Sequence, residues 1–278
     1  MRRSTSVMIT SDNMSLHTIQ WLPASEKKPR ALVLLVHGIA EHCGRYQHVA
    51  QALTEADYAV FGLDHRGHGR SDGRRSLIRD FDKPVTDLAQ YMQHFRAQHP
   101  DQKVFVFGHS MGALIGLLFA LKYQAELAGF ISQGTPLNLD EKIPRLLLPL
   151  AKIVTRALGD FRSIPIQADD LSRDPAVVAA YQEDPLVDTR WMRAGVVLKL
   201  LQTGQQARKQ LESLHLPLLI LHGTADTICP ISGSRTLHEH AASADKTLIT
   251  YENAFHELHN EPDQAQVLHD ILSWLNQH

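Results

Sequence analysis

Between Lys103 and Lys122 the chain carries no charged residue. A neutral stretch of that length is close to the roughly 20 apolar residues that cross a bilayer core, so it is either a membrane span or buried in protein. Its interior separates the two. Gly108-His109-Ser110 interrupts the apolar run, and Gly112 and Gly116 follow. The stretch therefore reads as a buried strand, a tight turn and a buried helix, and the span is rejected.

The same rhythm runs through most of the chain. Ser6 to Leu22 reads as two strands around Ser11-Asp12-Asn13, and Ala31 to Val36 as a short apolar strand buried on both faces. Helical spacing over Arg45 to Ala56 precedes a strand at Tyr58 to Leu63, and a helix at Asp82 to Gln98 precedes a strand at Val104 to Phe107. Helix Ser110 to Tyr123 and strand Ala128 to Ser132 complete the first half. From Pro136 to about Lys209 the alternation gives way to mostly helical, proline-punctuated text. It resumes with strands Leu216 to Leu221 and Thr247 to Tyr251, and helices Ser232 to Ala242 and Gln264 to Gln277. Repeated β-α alternation predicts an α/β fold with a mostly parallel sheet and helices on both faces. Residues 1–135 and 210–278 form its expected core, and 136–209 an inserted helical cap.

Composition removes several classes of function. A net charge of −2 offers no bulk field for nucleic acid. Two cysteines, Cys43 and Cys229, cannot build a disulfide framework, which fits a reducing compartment. Met1-Arg2-Arg3 runs into polar residues and not into an apolar signal-peptide core, so a cytoplasmic location is expected. The 17 histidines are the outlier. His256-Glu257-Leu258-His259 lacks the H-E-x-x-H spacing of zinc peptidases, and His238 and His240 face different sides of a helix. No metal is expected, and most histidines are expected to be solvated or satisfied locally.

Gly108-His109-Ser110-Met111-Gly112 fits G-x-S-x-G, and it lies where a strand turns into a helix. That context is what a nucleophile elbow needs: a serine on a strained turn, flanked by glycines because side chains there would clash. The hydroxyl then stands at a helix N-terminus, which favours developing negative charge. A serine needs a base to take its proton, and the base needs an orienting carboxylate. Asp226 follows the strand ending at Leu221, and His256 follows the strand ending at Tyr251. All three groups thus fall at strand C-terminal ends, where open α/β sheets place their sites. Glu257, Asp245 and Asp263 are alternative acids, and His259 and His269 alternative bases. Backbone N–H groups of Met111 and Ile39 are the expected oxyanion donors.

Taken together, HGIAEHCGRY, DHRGHGRSDG, FGHSMGALIG, LSRDP with AAYQEDPLV, HGTADTIC and AFHELHNE resemble the monoglyceride lipases, within the serine α/β-hydrolases that include bacterial lysophospholipases. The resemblance covers nearly the whole chain. It implies an α/β-hydrolase sheet of about eight strands under a cap. It also implies hydrolysis of monoacylglycerol to fatty acid and glycerol without a cofactor, on a single-chain lipid ester. The family holds the polar head group near positions matching Glu41, Arg45, Tyr181 and His259, although Glu41 and Arg45 are also spaced to pair with each other. Ile39 stands where the family commonly has a small residue. Lys142, Arg145, Lys152 and Arg156 share one helical side, opposite Leu147, Leu150, Val154 and Leu158, which makes transient contact of the cap with a membrane surface an expectation. Pro144 and Pro149 oppose one continuous helix there. Cys229 is expected near the site, three residues after Asp226. Rival readings are a lysophospholipase, a short-chain carboxylesterase, an acyltransferase and a non-catalytic ligand-binding protein. Epoxide hydrolase and dehalogenase chemistry would need Asp, not Ser110, at the elbow.

Overall fold

The computed structural model describes residues 1–25, 27–142, 162–164, 167–189 and 192–278. Eight strands form one sheet: β1 (Arg2–Ile9), β2 (Ser15–Leu22), β3 (Leu32–Val36), β4 (Ala59–Leu63), β5 (Val104–His109), β6 (Gly129–Gln133), β9 (Leu218–Gly223) and β10 (Lys246–Tyr251). Their spatial order is β1-β2-β4-β3-β5-β6-β9-β10. β1 pairs antiparallel with β2, and β2 antiparallel with β4, while the other five pairings are parallel.

Alternation along each parallel strand feeds two separate cores. In β3, Leu32, Leu34 and Val36 pack into one, and Val33 and Leu35 into the other. In β5, Val104 and Val106 oppose Phe105 and Phe107 in the same way. This explains why these strands read as unbroken apolar runs. Helices α2 (Asp82–Gln98) and α3 (Met111–Tyr123) cover the first face, and α1 (Gln47–Glu55) covers the second.

Between β6 and β9 the chain leaves the sheet. It carries strand β7 (Arg162–Ile164), helix α4 (Pro175–Glu183), strand β8 (Met192–Arg193) and helix α5 (Ala194–Arg208). β7 and β8 pair antiparallel, a small ladder in a region expected to be helical. Ile164 precedes Pro165, which disfavours helical backbone at that position. Arg145, Lys152 and Arg156 lie outside the described residues, so of the expected basic face only Lys142 is placed. Helices α6 (Ile231–His240) and α7 (Gln264–Gln277) complete the fold, with α7 joining α1 on the second face. Among the described residues no helix is long and apolar enough to cross a membrane.

Register brings the site together. Gly108 of β5 lies beside Val36 of β3, His109 beside Gln133 of β6, Gln133 beside Leu221 of β9, and His222 beside Thr250 of β10. The loops carrying residues 37–42, 110, 224–229 and 252–257 therefore all leave from one edge of the sheet.

Candidate active site

β5 ends at His109 and α3 begins at Met111, so Ser110 alone makes the turn, at φ 54° and ψ −124°. Such backbone costs on the order of 1–3 kcal/mol and persists where the surroundings over-determine it. Ser110 N donates to Gln133 O at 2.9 Å, and Ser110 O accepts from Ala113 N at 2.9 Å and Leu114 N at 3.2 Å. The flanking glycines are sterically required. A Cβ at Gly112 would meet Val36 O at 2.1 Å, and one at Gly108 would meet Gly112 O at 2.6 Å.

Asp226 Oδ2 accepts from His256 Nδ1 at 2.7 Å, while Oδ1 accepts the amides of Ile228 at 2.8 Å and Cys229 at 2.9 Å. A carboxylate only accepts, so Nδ1 carries the proton and Nε2 keeps its lone pair. Burial is the largest influence on both groups and opposes charge, yet each partner outweighs it. Asp226 is held below the usual carboxylate range, and His256 is raised above the ordinary imidazole value. Behind the pair, Gly134 has φ 60°, and a Cβ there would lie 3.1 Å from His256 Cε1.

Ser110 and His256 make no direct hydrogen bond with each other, though both line one cavity. Hydrogen bonds of this kind are often long until substrate arrives. Cys229 lines the same cavity as Ser110 and His256. Burial first, then the Asp226 charge, push its thiol up.

The loop after β3 presses on Ser110, since a Cβ at Gly38 would stand 3.4 Å from Ser110 Cβ. Gly38 N is already engaged by Glu41 Oε1 at 2.7 Å. Ile39 lines the cavity next to Ala40, whose φ is 65°. Met111, as the first residue of α3, has no intrahelical acceptor for its N–H. Ile39 and Met111 both line the cavity beside Ser110.

The residues matched to head-group positions divide. Glu41 and Tyr181 line the cavity, while Arg45 and His259 lie behind it. Arg45 donates to Glu41 Oε2 at 2.7 Å and, through both terminal nitrogens, to Glu257 at 2.7 and 2.8 Å. Its guanidinium also lies 4.9 Å from the Tyr181 ring centroid. Burial alone would neutralise both carboxylates, but the Arg45 charge keeps each below the usual carboxylate range. Glu41 Oε1 further accepts from Tyr46 Oη at 2.7 Å, and His109 Nδ1 reaches that hydroxyl at 2.9 Å. His259 Nδ1 meets Gln133 Nε2 at 2.8 Å and its ring stacks on Tyr46 at 4.5 Å.

His37, His42, His65, His68, His109, His222, His256 and His259 are all buried, and they gather at the C-terminal edge of the sheet. Burial, the largest cause in each, lowers His37, His65, His68, His222 and His259. They pack as neutral rings around the loops at that edge. Among the described residues no group of three or more His, Cys, Asp or Glu is placed to hold a metal.

The cavity above Ser110 measures about 340 Å³. Leu139, Val197, Leu200, Leu201 and Ile228 are among its apolar lining, four of them from the segment between β6 and β9. That segment is tied to the loop after β3: Asp188 N donates to Ala40 O at 2.8 Å, and His42 Nε2 to Asp184 Oδ2 at 2.8 Å.

A serine on an elbow, an Asp–His pair at neighbouring strand ends and this strand order define an α/β-hydrolase of the serine type. The chain belongs to the family described as "Serine aminopeptidase, S33", whose profile matches residues 27–263. Its relatives include lipases. It is 38% identical to the monoacylglycerol lipase of Mycolicibacterium smegmatis over 93% of this chain and 91% of that protein. It is 34% identical to the human monoglyceride lipase over 97% of this chain and 89% of that protein. The solved monoacylglycerol lipase of Paleococcus ferrophilus superposes with a TM-score of 0.82 at 30% identity, covering 94% of this chain and 98% of that one.

Proposed function

We propose that this protein hydrolyses monoacylglycerols to fatty acid and glycerol through an acyl-enzyme. The observation that carries this reading is the apolar cavity of about 340 Å³ directly over Ser110, with a polar end at Glu41, Tyr181 and Glu257. Pockets of this size, mostly apolar with a few convergent polar groups, take small ligands, here one acyl chain with a compact polar head. The named lipase relatives support the same substrate class.

Ser110 Oγ attacks the ester carbonyl while His256 Nε2 takes its proton. Asp226 holds the imidazole in the required tautomer and stabilises the cation that forms. The N–H groups of Ile39 and Met111 receive the oxyanion, and His256 returns the proton to the departing glycerol oxygen. Water, deprotonated by His256, then releases the fatty acid.

Residues 136–209 act in this reading as the cap over the core of 1–135 and 210–278. Brief contact of that cap with a lipid surface belongs to the proposal, and co-sedimentation with vesicles of anionic and neutral lipid checks it. The substrate assignment is tested with wild type and Ser110→Ala on a monoacylglycerol, a lysophospholipid, a triacylglycerol and a short p-nitrophenyl ester. A Ser110-dependent preference for monoacylglycerol is expected. Activity confined to the short ester would retain the triad and discard the lipid assignment.

A further inference from the structure

His222 is fully buried, lies one residue before the end of β9, and has no part in the steps above. Its Nε2 is 3.1 Å from Cys229 O and 3.4 Å from Asp226 Oδ2, and its Nδ1 is 2.7 Å from Ser234 Oγ on α6. A carbonyl can only accept, so Nε2 bears the proton and Nδ1 takes the Ser234 hydroxyl proton. The ring is thereby fixed in one tautomer and one orientation, with its N–H between the two ends of the 226–229 turn.

We propose that His222 is a positioning residue for the catalytic acid, closing the 226–229 turn and holding Asp226 Oδ2 on the His256 side. The proposal rests on the reading of Asp226 as that acid. With His222 in place, Oδ1 of Asp226 is held by two amides and Oδ2 lies between two imidazoles, so the carboxylate has no freedom to rotate. A histidine that merely filled the core would need a partner, but not one at each end of this turn. Charged and titratable groups facing it are Asp226 and Cys229 on the turn, His256 on the loop after β10, and Arg235 on α6. Burial outweighs the attraction of Asp226 and keeps the ring below the ordinary imidazole value, so it does not compete with His256 as a second cation. Remove the ring and the buried Cys229 carbonyl loses its donor, freeing the turn on which Asp226 is mounted.

The test compares His222→Leu, His222→Gln and Ser234→Ala in the full-length protein. Readouts are kcat and KM on a p-nitrophenyl ester and the low-field proton resonance of His256 Nδ1. His222→Leu is expected to lower kcat by up to about 10²-fold, the scale of a small misplacement of a catalytic group, with KM unchanged. The low-field resonance is lost in that variant. His222→Gln, whose amide can donate to Cys229 O, recovers most of kcat and the resonance, and Ser234→Ala shows a smaller loss of the same kind. Native kcat and resonance in His222→Leu, or a loss that Gln does not recover, overturns the proposal. Should His222→Leu fail to fold, Ser234→Ala decides, and native values there overturn it equally. Ser110→Ala and Asp226→Asn run alongside. If those two retain turnover, the triad reading itself falls; if they are inactive while His222→Leu is native, only the role of His222 falls.

Discussion

One wall of the cavity comes from the loops after β3, β5, β9 and β10, and its polar groups are tied into a network around Glu41, Arg45 and Glu257. The facing wall comes largely from the segment between β6 and β9, and presents Leu139, Val197, Leu200 and Leu201. The first wall is over-determined. Its ion pairs, backbone strain and steric glycines leave each group one position. The second wall is tied to the first at several points: Asp188 N to Ala40 O, His42 to Asp184, Glu257 N to Leu171 O and Ser172 Oγ to Asn260 O. Reaction chemistry needs fixed atoms, whereas acyl recognition needs only shape, and the two walls divide along that line.

Substitution on the first wall should have the larger effects. Ser110→Ala and Asp226→Asn should each lower kcat by about 10⁴-fold or more without unfolding the protein, as loss of triad members does elsewhere. Steady-state kinetics beside a thermal melt checks this, and near-native turnover in either variant would break the division. Arg45→Met leaves Glu41 and Glu257 buried without their cation and should destabilise the fold by about 3–5 kcal/mol, read by chemical denaturation. An unchanged midpoint would mean that the network serves substrate and not structure.

On the second wall the expected effect is selectivity with little change in stability. Leu200→Trp should shift the kcat/KM ratio between long and short acyl chains by about tenfold, the worth of one or two methylenes in an apolar pocket. An unchanged ratio across a chain-length series would sink the assignment of this wall. The smallest effect concerns pH. His256 must be neutral to act as base, and Asp226 raises its affinity for a proton. The acid limb of kcat/KM should therefore lie above the ordinary imidazole value, and Asp226→Asn should move it down, in a pH-rate profile of the residual activity.

Legibility in the sequence follows the same division. The gathering of Ser110, Asp226 and His256 at one edge was readable because each sits in a short local pattern just past a buried strand, and parallel register carries strand ends to one edge. The tie between Arg45 and Glu257 was not, since those residues are distant in the chain and meet only through the order of the sheet. In sequence Glu257 reads as an alternative acid, with nothing local to mark its partner. The gathering of eight buried histidines at one sheet edge was not legible either, because imidazole gives no periodic signal that separates a solvated ring from one sealed under loops. His222 offered a faint clue, four residues before Asp226 at a strand end. The small β7–β8 ladder fell within proline-rich text, where neither period persists long enough to be read.

The crossing from β6 to β9 carries a consequence for ancestry. Most of what fits the substrate enters at one place in the sheet, while most of what cuts it comes from the ends of other strands. A lineage can therefore lengthen, shorten or rewrite that one excursion and change its diet, while the cutting apparatus is inherited intact.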